Sequence, residues 1–278
     1  MKTINYKINE LLNPNNYKLF VCDEFLDSKF YEELRSDIME VITRNLDSWD
    51  HALSANSDNA PKQYRTFGGG YDGDSVDKFK SLFKEYDRSE RLFKLIDELN
   101  SKKFANYIFS TLNLNSKNKL KIVESSYTLN LYDYLFKECI YLNLKLSSYP
   151  PQSGIALHRD NKRKKVGMLL YFGFSDNIER EYGGTQFYSD HKASPNWSNM
   201  QADHSFIESE NLELFIDKKP IGNSFAAFEI NNHSWHGVSP YSNDNQNLYR
   251  INLQINFMRV SNCSFIVKLI KYVFSKKK

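Results

Sequence analysis

Two side chains that can bind a metal ion, His158 and Asp160, are separated by one arginine in segment 154–160. In an extended chain, residues two positions apart project to the same side. The imidazole and the carboxylate would then lie next to each other, as two of the three protein ligands of a two-histidine, one-carboxylate site for Fe(II). Such a triplet arises often by chance, so the hypothesis requires a third ligand from a distant strand.

His236 is the histidine best placed to be that third ligand. It precedes a turn at Gly237, whereas His233, three residues earlier, would face the other side of a strand. A lone buried histidine is more often structural than a ligand, so the spacing to other residues decides the interpretation. The remaining histidines lie in polar segments and are expected to be solvated surface residues: His51, His191 and His204.

Arg250 follows His236 by fourteen residues and fits the chemistry of an iron site. Fe(II) needs a two-electron co-substrate to use oxygen, and a 2-oxo acid such as 2-oxoglutarate chelates iron while leaving its distal carboxylate to be recognised. A guanidinium binds a carboxylate through two parallel hydrogen bonds and stays charged. The polar residues Arg250, Asn252, Gln254 and Asn256 alternate with apolar ones, which predicts a strand with a polar face lining a cavity. A solvent-exposed face is the alternative.

Composition excludes several functional classes. The net charge of +3 over 278 residues does not favour nucleic acid as a partner. Three cysteines without metal-type or disulfide-type spacing indicate a reducing compartment, so we expect a cytoplasmic protein. The first residues lack the apolar core of a signal peptide, and no run of about 18 apolar residues occurs. The basic run 162–165 is interpreted as a solvated loop, with phosphate binding as the alternative.

The first half of the chain has helical patterns. A short strand is predicted over 17–22, followed by a helix beginning near Asp27 or Ser28 with a buried stripe. Segment 50–76 is expected to be a loop, and its glycine run 68–70 leaves a mobile lid as an alternative to a plain surface loop. A second helical block is predicted over 76–113, with Asp87 and Glu90 as a capping box.

From about residue 120 the pattern changes to short β-rich segments, which predict a sandwich or barrel. Between the segments, residues 189–218 are expected to form a polar insertion without regular structure. The predicted strands cover residues 140–146, 166–172, 184–188, 224–228 and 250–257.

The ordered set of motifs resembles the prolyl-4-hydroxylase-like branch of the Fe(II)/2-oxoglutarate-dependent oxygenases. The resemblance covers roughly residues 139–258, with a weaker similarity at 20–26. The motifs are YPPQSGIALHRD at 149–160, LLYF at 169–172, YGGTQFY at 182–188, GNSFAAF at 222–228, HGVSP at 236–240 and Arg250.

The resemblance implies an α+β fold: an all-β core, the double-stranded β-helix or jelly roll, with N-terminal helices packed on its larger sheet. We therefore expect a single oxygenase domain over 1–262. Residues 1–120 would form its helical support region, and residues 121–262 its core.

The resemblance also implies roles for individual residues. His158, Asp160 and His236 match the iron ligands, and Arg250 matches the 2-oxoglutarate anchor. Tyr149 matches a tyrosine that contacts the co-substrate near the metal. Tyr171 would hydrogen-bond the distal carboxylate of the co-substrate. Asn252 stands where many relatives carry a small hydroxyl residue, which is a departure from the family pattern.

The implied activity is that of an Fe(II)- and 2-oxoglutarate-dependent dioxygenase that uses O2, with ascorbate left open as a further cofactor. It would hydroxylate an unactivated C–H bond of a small molecule, glycan or peptidyl substrate and release succinate and CO2. The carboxylate at position 160 favours hydroxylation over halogenation, because a halide then has no vacant ligand site. Two alternatives remain: a non-catalytic jelly-roll binding module, and a cupin-like metalloenzyme that does not use 2-oxoglutarate.

The C-terminal tail, residues 263–278, has apolar residues at helical spacing and ends in three lysines. A basic amphipathic helix can lie on an anionic membrane surface. It can equally pack on the protein's own barrel or on a partner. Peripheral membrane contact through residues 264–278 is therefore one of three open interpretations.

Overall fold

The computed structural model describes most of the chain. The described residues are 3–6, 10–14, 16–45, 50–52, 64–67, 73–84, 86, 88–114, 119–180, 182–190, 212–241, 248–264 and 267. The glycine run 68–70, two of the histidines, His191 and His204, and almost all of the tail lie outside them. The membrane and docking interpretations of the tail therefore stay predictions.

Five helices and fourteen strands are described. The helices are α1 (Ser28–Asn45), α2 (Val76–Phe83), α3 (Glu90–Leu99), α4 (Lys102–Thr111) and α5 (Leu131–Phe136). The strands are β1 (Glu10–Leu12), β2 (Leu19–Cys22), β3 (Asp50–Ala52), β4 (Tyr64–Phe67), β5 (Asp74–Ser75), β6 (Lys119–Ile122), β7 (Lys137–Tyr149), β8 (Ile155–His158), β9 (Lys164–Phe174), β10 (Thr185–Asp190), β11 (Leu212–Lys218), β12 (Phe225–Glu229), β13 (His236–Val238) and β14 (Arg250–Arg259).

The last eight strands form a jelly roll. The larger sheet contains the order β12-β9-β14-β7, and the smaller sheet has the order β11-β10-β13-β8. Neighbours within both sets are antiparallel. Eight antiparallel strands divided between two sheets in this way define a jelly roll, or double-stranded β-helix. The predicted fold class is therefore confirmed by the strand order itself.

The larger sheet is extended by N-terminal strands and covered by helices on its outer face. β2 and β1 continue it beyond β12, and β4 and β3 continue it beyond β7. Apolar residues from the outer faces of β7, β9, β12 and β14 form one buried cluster with residues of α1 to α4. The prediction that the N-terminal helices pack on the larger sheet is confirmed.

Helix α1 shows why this packing forms. The four residues of its predicted stripe, Phe30, Leu34, Ile38 and Val41, are all buried in the cluster. They recur at helical spacing, so one face of the helix is apolar along its length. Arg35 on the same helix is buried and donates hydrogen bonds from Nε to the carbonyl of Phe172 (3.0 Å) and from Nη2 to that of Phe174 (2.7 Å). These bonds fix the helix against the end of β9.

The predicted capping box cannot be followed, because Asp87 lies outside the described residues; helix α3 has Ser89 at its N-cap with no side-chain capping bond. Two sequence predictions are wrong in detail. Segment 50–76 is not purely a loop, because it contains β3, β4 and β5. The proposed insertion 189–218 contributes the end of β10 and the whole of β11. Short strands that pair with long ones gain their hydrogen bonds from the partner, which local sequence patterns do not reveal.

Within the described residues, none of the helices is long and apolar enough to span a bilayer. The division into a helical region 1–120, a core 121–262 and a tail stays a prediction.

Candidate metal and co-substrate site

The jelly roll brings three residues that can bind a metal together. β8 ends at His158 and β13 begins at His236, and the two histidines are direct partners in the antiparallel ladder. Asp160 follows β8 by two residues. One ligand atom from each of the three side chains lies within 4.8 Å of the others. The structure thus places the predicted residues, from segments nearly eighty positions apart, in one cluster.

The two oxygen atoms of Asp160 have different partners. Oδ1 accepts a hydrogen bond from Lys164 Nζ at 2.6 Å, and both side chains are largely buried. Oδ2 faces His236 Nε2 at 3.6 Å. Burial by itself raises the pKa of Asp160, but the nearby charge of Lys164 and the two histidines outweigh it and lower the pKa below its usual range. The carboxylate is therefore ionised, with one oxygen held by Lys164 and the other directed toward the histidine.

His236 is held in one orientation. Its Nδ1 lies 3.0 Å from the carbonyl oxygen of Ser234, which only an N–H at Nδ1 can satisfy. Burial lowers the pKa of His236, although Asp160 opposes this effect. A neutral imidazole with its proton on Nδ1 presents the Nε2 lone pair toward the cluster, which is the form that binds metals.

Aromatic side chains close the cluster on its inner side. The rings of Phe187 and Phe228 lie 6.3 and 4.7 Å from the ring of His236. His158 is next to His236, with ring centroids 4.4 Å apart. A wall of this kind limits the access of water to the ligand atoms from that side.

Arg250 is buried in the same interior, with 1% of its surface exposed. None of its three side-chain nitrogen atoms has a hydrogen-bond partner among the described residues. Its guanidinium carbon lies 4.3 Å from the ring centroid of Tyr149, so the planar cation stacks on the aromatic face. A buried cation with unused donors is costly unless an anion binds to it.

The surroundings of Arg250 leave it little freedom. Gly183 has φ +78°, and a Cβ built at that position would lie 3.2 Å from Arg250 Nη1. Glycine therefore suits this position both in backbone angle and in space. The Tyr149 hydroxyl accepts a hydrogen bond from Gln254 Nε2 at 3.1 Å, which fixes the ring under the guanidinium.

Tyr171, the third residue predicted near the co-substrate, is buried on the same inner side. Its hydroxyl donates to Thr185 Oγ1 at 2.8 Å. Burial raises the pKa of Tyr171 well above its ordinary value, so the hydroxyl stays protonated. It can offer a neutral hydrogen bond but no negative charge.

Lys164 is the site residue that the sequence analysis missed. The basic run was interpreted as a solvated loop, yet Lys164 and Lys165 lie on β9, and Lys165 pairs with Glu138 at 3.1 Å instead. Side chains alternate between the two faces of a strand. Because Tyr171 points inward, regular alternation along β9 would turn Lys165 inward and Lys164 outward. A register shift between Lys164 and Val166, where β9 pairs with β14, reverses this parity. Such a bulge leaves no clear signal in the sequence.

No family model and no curated protein matches the chain. Solved structures do match. One is a prolyl-4-hydroxylase from Pseudomonas putida, with a TM-score of 0.48, 13% identity, and coverage of 87% of this chain and 92% of that one. Another is an oxidoreductase of the 2OG-Fe(II) oxygenase family from Burkholderia pseudomallei, with a TM-score of 0.43, 9% identity, and 88% of each chain covered.

A third solved structure is the non-heme alpha ketoglutarate dependent epimerase SnoN from nogalamycin biosynthesis. Its TM-score is 0.49 at 10% identity, covering 87% of this chain and 78% of that one. These similarities are distant and concern the fold.

Proposed function

We propose that the protein is an Fe(II)- and 2-oxoglutarate-dependent dioxygenase that hydroxylates an unactivated C–H bond. The observation that carries the proposal is Arg250, a fully buried cation whose donors have no partner among the described residues, in the same interior as a two-histidine, one-carboxylate cluster. A dicarboxylic 2-oxo acid has one end that binds a metal and another that binds a guanidinium.

The side chains at the site fit both Fe(II) and 2-oxoglutarate. Two imidazoles on adjacent strands and one carboxylate just beyond β8 match the donor set of non-haem Fe(II) oxygenases, which leave other coordination positions open. His158, Asp160 and His236 would hold the iron. Arg250 would bind the distal carboxylate of 2-oxoglutarate, with Tyr149 beneath it and Tyr171 beside it.

When bound, the iron and 2-oxoglutarate supply the oxidation: O2 gives one oxygen atom to succinate as CO2 is lost and the other to a C–H bond of the substrate. The side chains of this protein bind and orient. Lys164 keeps one oxygen of Asp160 occupied, so the carboxylate presents a single oxygen to a metal. Ser234 fixes the tautomer of His236, and the aromatic wall limits access of water.

The substrate class proposed is a small molecule, a glycan or a peptidyl group. Ascorbate as a further reductant and a cytoplasmic location are part of the same proposal. The net charge of +3 gives no support to a nucleic acid substrate.

The experiment that tests the proposal is succinate formation from 2-oxoglutarate in the presence of Fe(II) and O2, with a panel of candidate substrates. We expect succinate to form with the wild-type protein and to fall to background in His236→Ala. His233→Ala is the matched control, since it removes a histidine three residues away that is not in the cluster, and it should retain activity.

Two results would contradict the proposal. If the protein binds iron but never consumes 2-oxoglutarate, the cupin-like alternative replaces it. If neither iron nor 2-oxoglutarate binds, the jelly roll is a binding module.

A further inference from the structure

Helix α5 buries its acidic residue and exposes its large apolar residues, the opposite of an ordinary amphipathic helix. Its acidic residue, Asp133, is buried with 3% exposure. Its large apolar residues instead point to solvent, at positions i, i+1, i+4 and i+5, which share one face of a helix. Their exposures are Leu131 37%, Tyr132 60%, Leu135 49% and Phe136 56%.

The buried side of α5 fixes this orientation. Asn130 caps the helix by accepting a hydrogen bond from the backbone N–H of Asp133 at 2.8 Å. The Asp133 carboxylate accepts from Lys121 Nζ at 2.9 Å and from the hydroxyl of Tyr127. A satisfied buried network of this kind resists rotation of the helix, because rotation would leave the carboxylate without its partners. The outward apolar face is therefore a fixed feature.

Two basic side chains lie beside this apolar face. Lys137 Nζ lies 5.7 Å from the ring centroid of Tyr132, and Lys119 is exposed on the neighbouring strand. The two lysines therefore place positive charge at the edge of the apolar face.

We propose that the exposed face of α5 is a docking surface for an anionic phospholipid membrane. Exposed aromatic and leucine side chains enter the interfacial region of a bilayer, and neighbouring lysines are attracted to anionic headgroups. A second copy of the chain fits less well. A symmetric contact would place the same lysines against each other. Four side chains also provide far less than the roughly 800 Å² per partner of a stable interface.

The test is co-sedimentation of the full chain with vesicles of phosphatidylcholine alone or with 30% phosphatidylserine, a composition that supplies the negative surface charge. We expect binding to the anionic vesicles only, weakening with added salt. Phe136→Glu should weaken it at least about tenfold, equivalent to about 1.4 kcal/mol.

Ile178→Glu is the matched control, because Ile178 has 57% exposure, close to the 56% of Phe136. Strands β7 and β9 run in the same direction on the two sides of β14. Helix α5 precedes β7 and Ile178 follows β9, so Ile178 and α5 lie at opposite ends of the sheet. This variant should bind vesicles as the wild type does. Equal thermal melts of the two variants would show that both are folded.

A second measurement reports on α5 directly. Phe136→Cys and Ile178→Cys can be labelled with a polarity-sensitive dye, since Cys22, Cys139 and Cys263 are buried. Anionic vesicles should shift the emission of the dye at position 136 to the blue and leave that at position 178 unchanged.

The proposal is overturned if the full chain stays in solution with anionic vesicles, or if it binds them and Phe136→Glu binds equally well. Loss of binding only on removal of residues 268–278 would assign the contact to the tail alone. A wild-type dimer that Phe136→Glu converts to monomer, without vesicle binding in either, would assign the face to a second copy of the chain.

Discussion

The two faces of the larger sheet have opposite characters although the same strands form them. Toward the helices, β7 and β14 present mainly apolar side chains: Leu142, Leu144, Leu146, Ile251, Leu253, Ile255 and Phe257. Toward the smaller sheet they present mostly polar ones: Asn143, Lys145, Ser147, Tyr149, Arg250, Asn252, Gln254 and Asn256. Most of these polar residues are as deeply buried as the apolar ones.

The contrast separates what stabilises the fold from what forms the site. The outer face removes apolar surface from water, which is the main favourable term in folding. The inner face keeps buried polar groups, and some, such as the guanidinium of Arg250, have no partner among the residues that the structure describes. Burying such groups costs stability unless a ligand binds to them. A substitution on one face should therefore change stability, and one on the other should change binding.

The largest expected effect is on the inner face. Arg250→Met removes the partner of a buried carboxylate, which costs about 2–5 kcal/mol, or roughly 30- to several-thousand-fold in 2-oxoglutarate affinity. The free energy of unfolding without ligand should stay equal or rise, because a buried, unpartnered cation is lost. A ligand titration beside a thermal melt measures both. Unchanged 2-oxoglutarate affinity would remove Arg250 from the site.

The complementary change is on the outer face of the same strand. Leu253→Ala leaves a cavity beneath the helices and should lower the free energy of unfolding by about 2–5 kcal/mol. Denaturant unfolding measures it. At temperatures where the variant is folded, its 2-oxoglutarate affinity should match the wild type. If the binding free energy of 2-oxoglutarate falls by more than the free energy of unfolding does, the two faces are not independent.

A smaller effect is expected at Lys164. Lys164→Met leaves the buried Asp160 oxygen without its donor, which should lower the stability of the metal-free protein by about 1–3 kcal/mol. Lys165→Met is the control from the neighbouring position, and it should cost less because its pair with Glu138 is more exposed. Added Mn(II), which neutralises the carboxylate, should restore more stability to Lys164→Met than to Lys165→Met. Equal melting curves for both variants would contradict this role.

The smallest effect concerns Asp133 in the network beneath α5. Hydrogen bonds from Lys121 and Tyr127 lower the pKa of Asp133 below its usual 3.8. Its contribution to stability is therefore complete above that value and is lost as the pH falls through the folded-state pKa. Asp133→Asn should be less stable than the wild type at neutral pH, and the difference should narrow below about pH 4. A difference that stays constant with pH would rule out the ionised network.

Much of this arrangement could be predicted from alternation and spacing. The polar face of β14 was expected to line a cavity, with exposure to solvent as the alternative; Asn252 and Asn256 are buried, which excludes the alternative for these two residues. His158 and Asp160 share a side because they are two apart in an extended chain. Their proximity to His236 was a hypothesis until β8 and β13 were seen to pair in that register.

Other features could not be predicted for physical reasons. The bulge in β9 that turns Lys164 inward depends on pairing with β14, and no local pattern encodes it. Helix α5 was missed because its six residues, LYDYLF, span less than two helical turns, too few for the spacing of apolar residues to distinguish a helix from a strand. Its apolar face points outward, so the rule that apolar residues face the core fails at this position.

The central claim is that one interior holds both an iron site and a carboxylate site for a single 2-oxo acid. Its most direct test is anaerobic titration of Fe(II) and 2-oxoglutarate, followed by the visible charge-transfer band of the chelate. The wild type should give the band, and His158→Ala and Asp160→Ala should abolish it. Arg250→Met should give it only at 2-oxoglutarate concentrations at least about 30-fold higher. A wild-type protein without the band, or variants at His158 and Asp160 that keep it, would contradict the account.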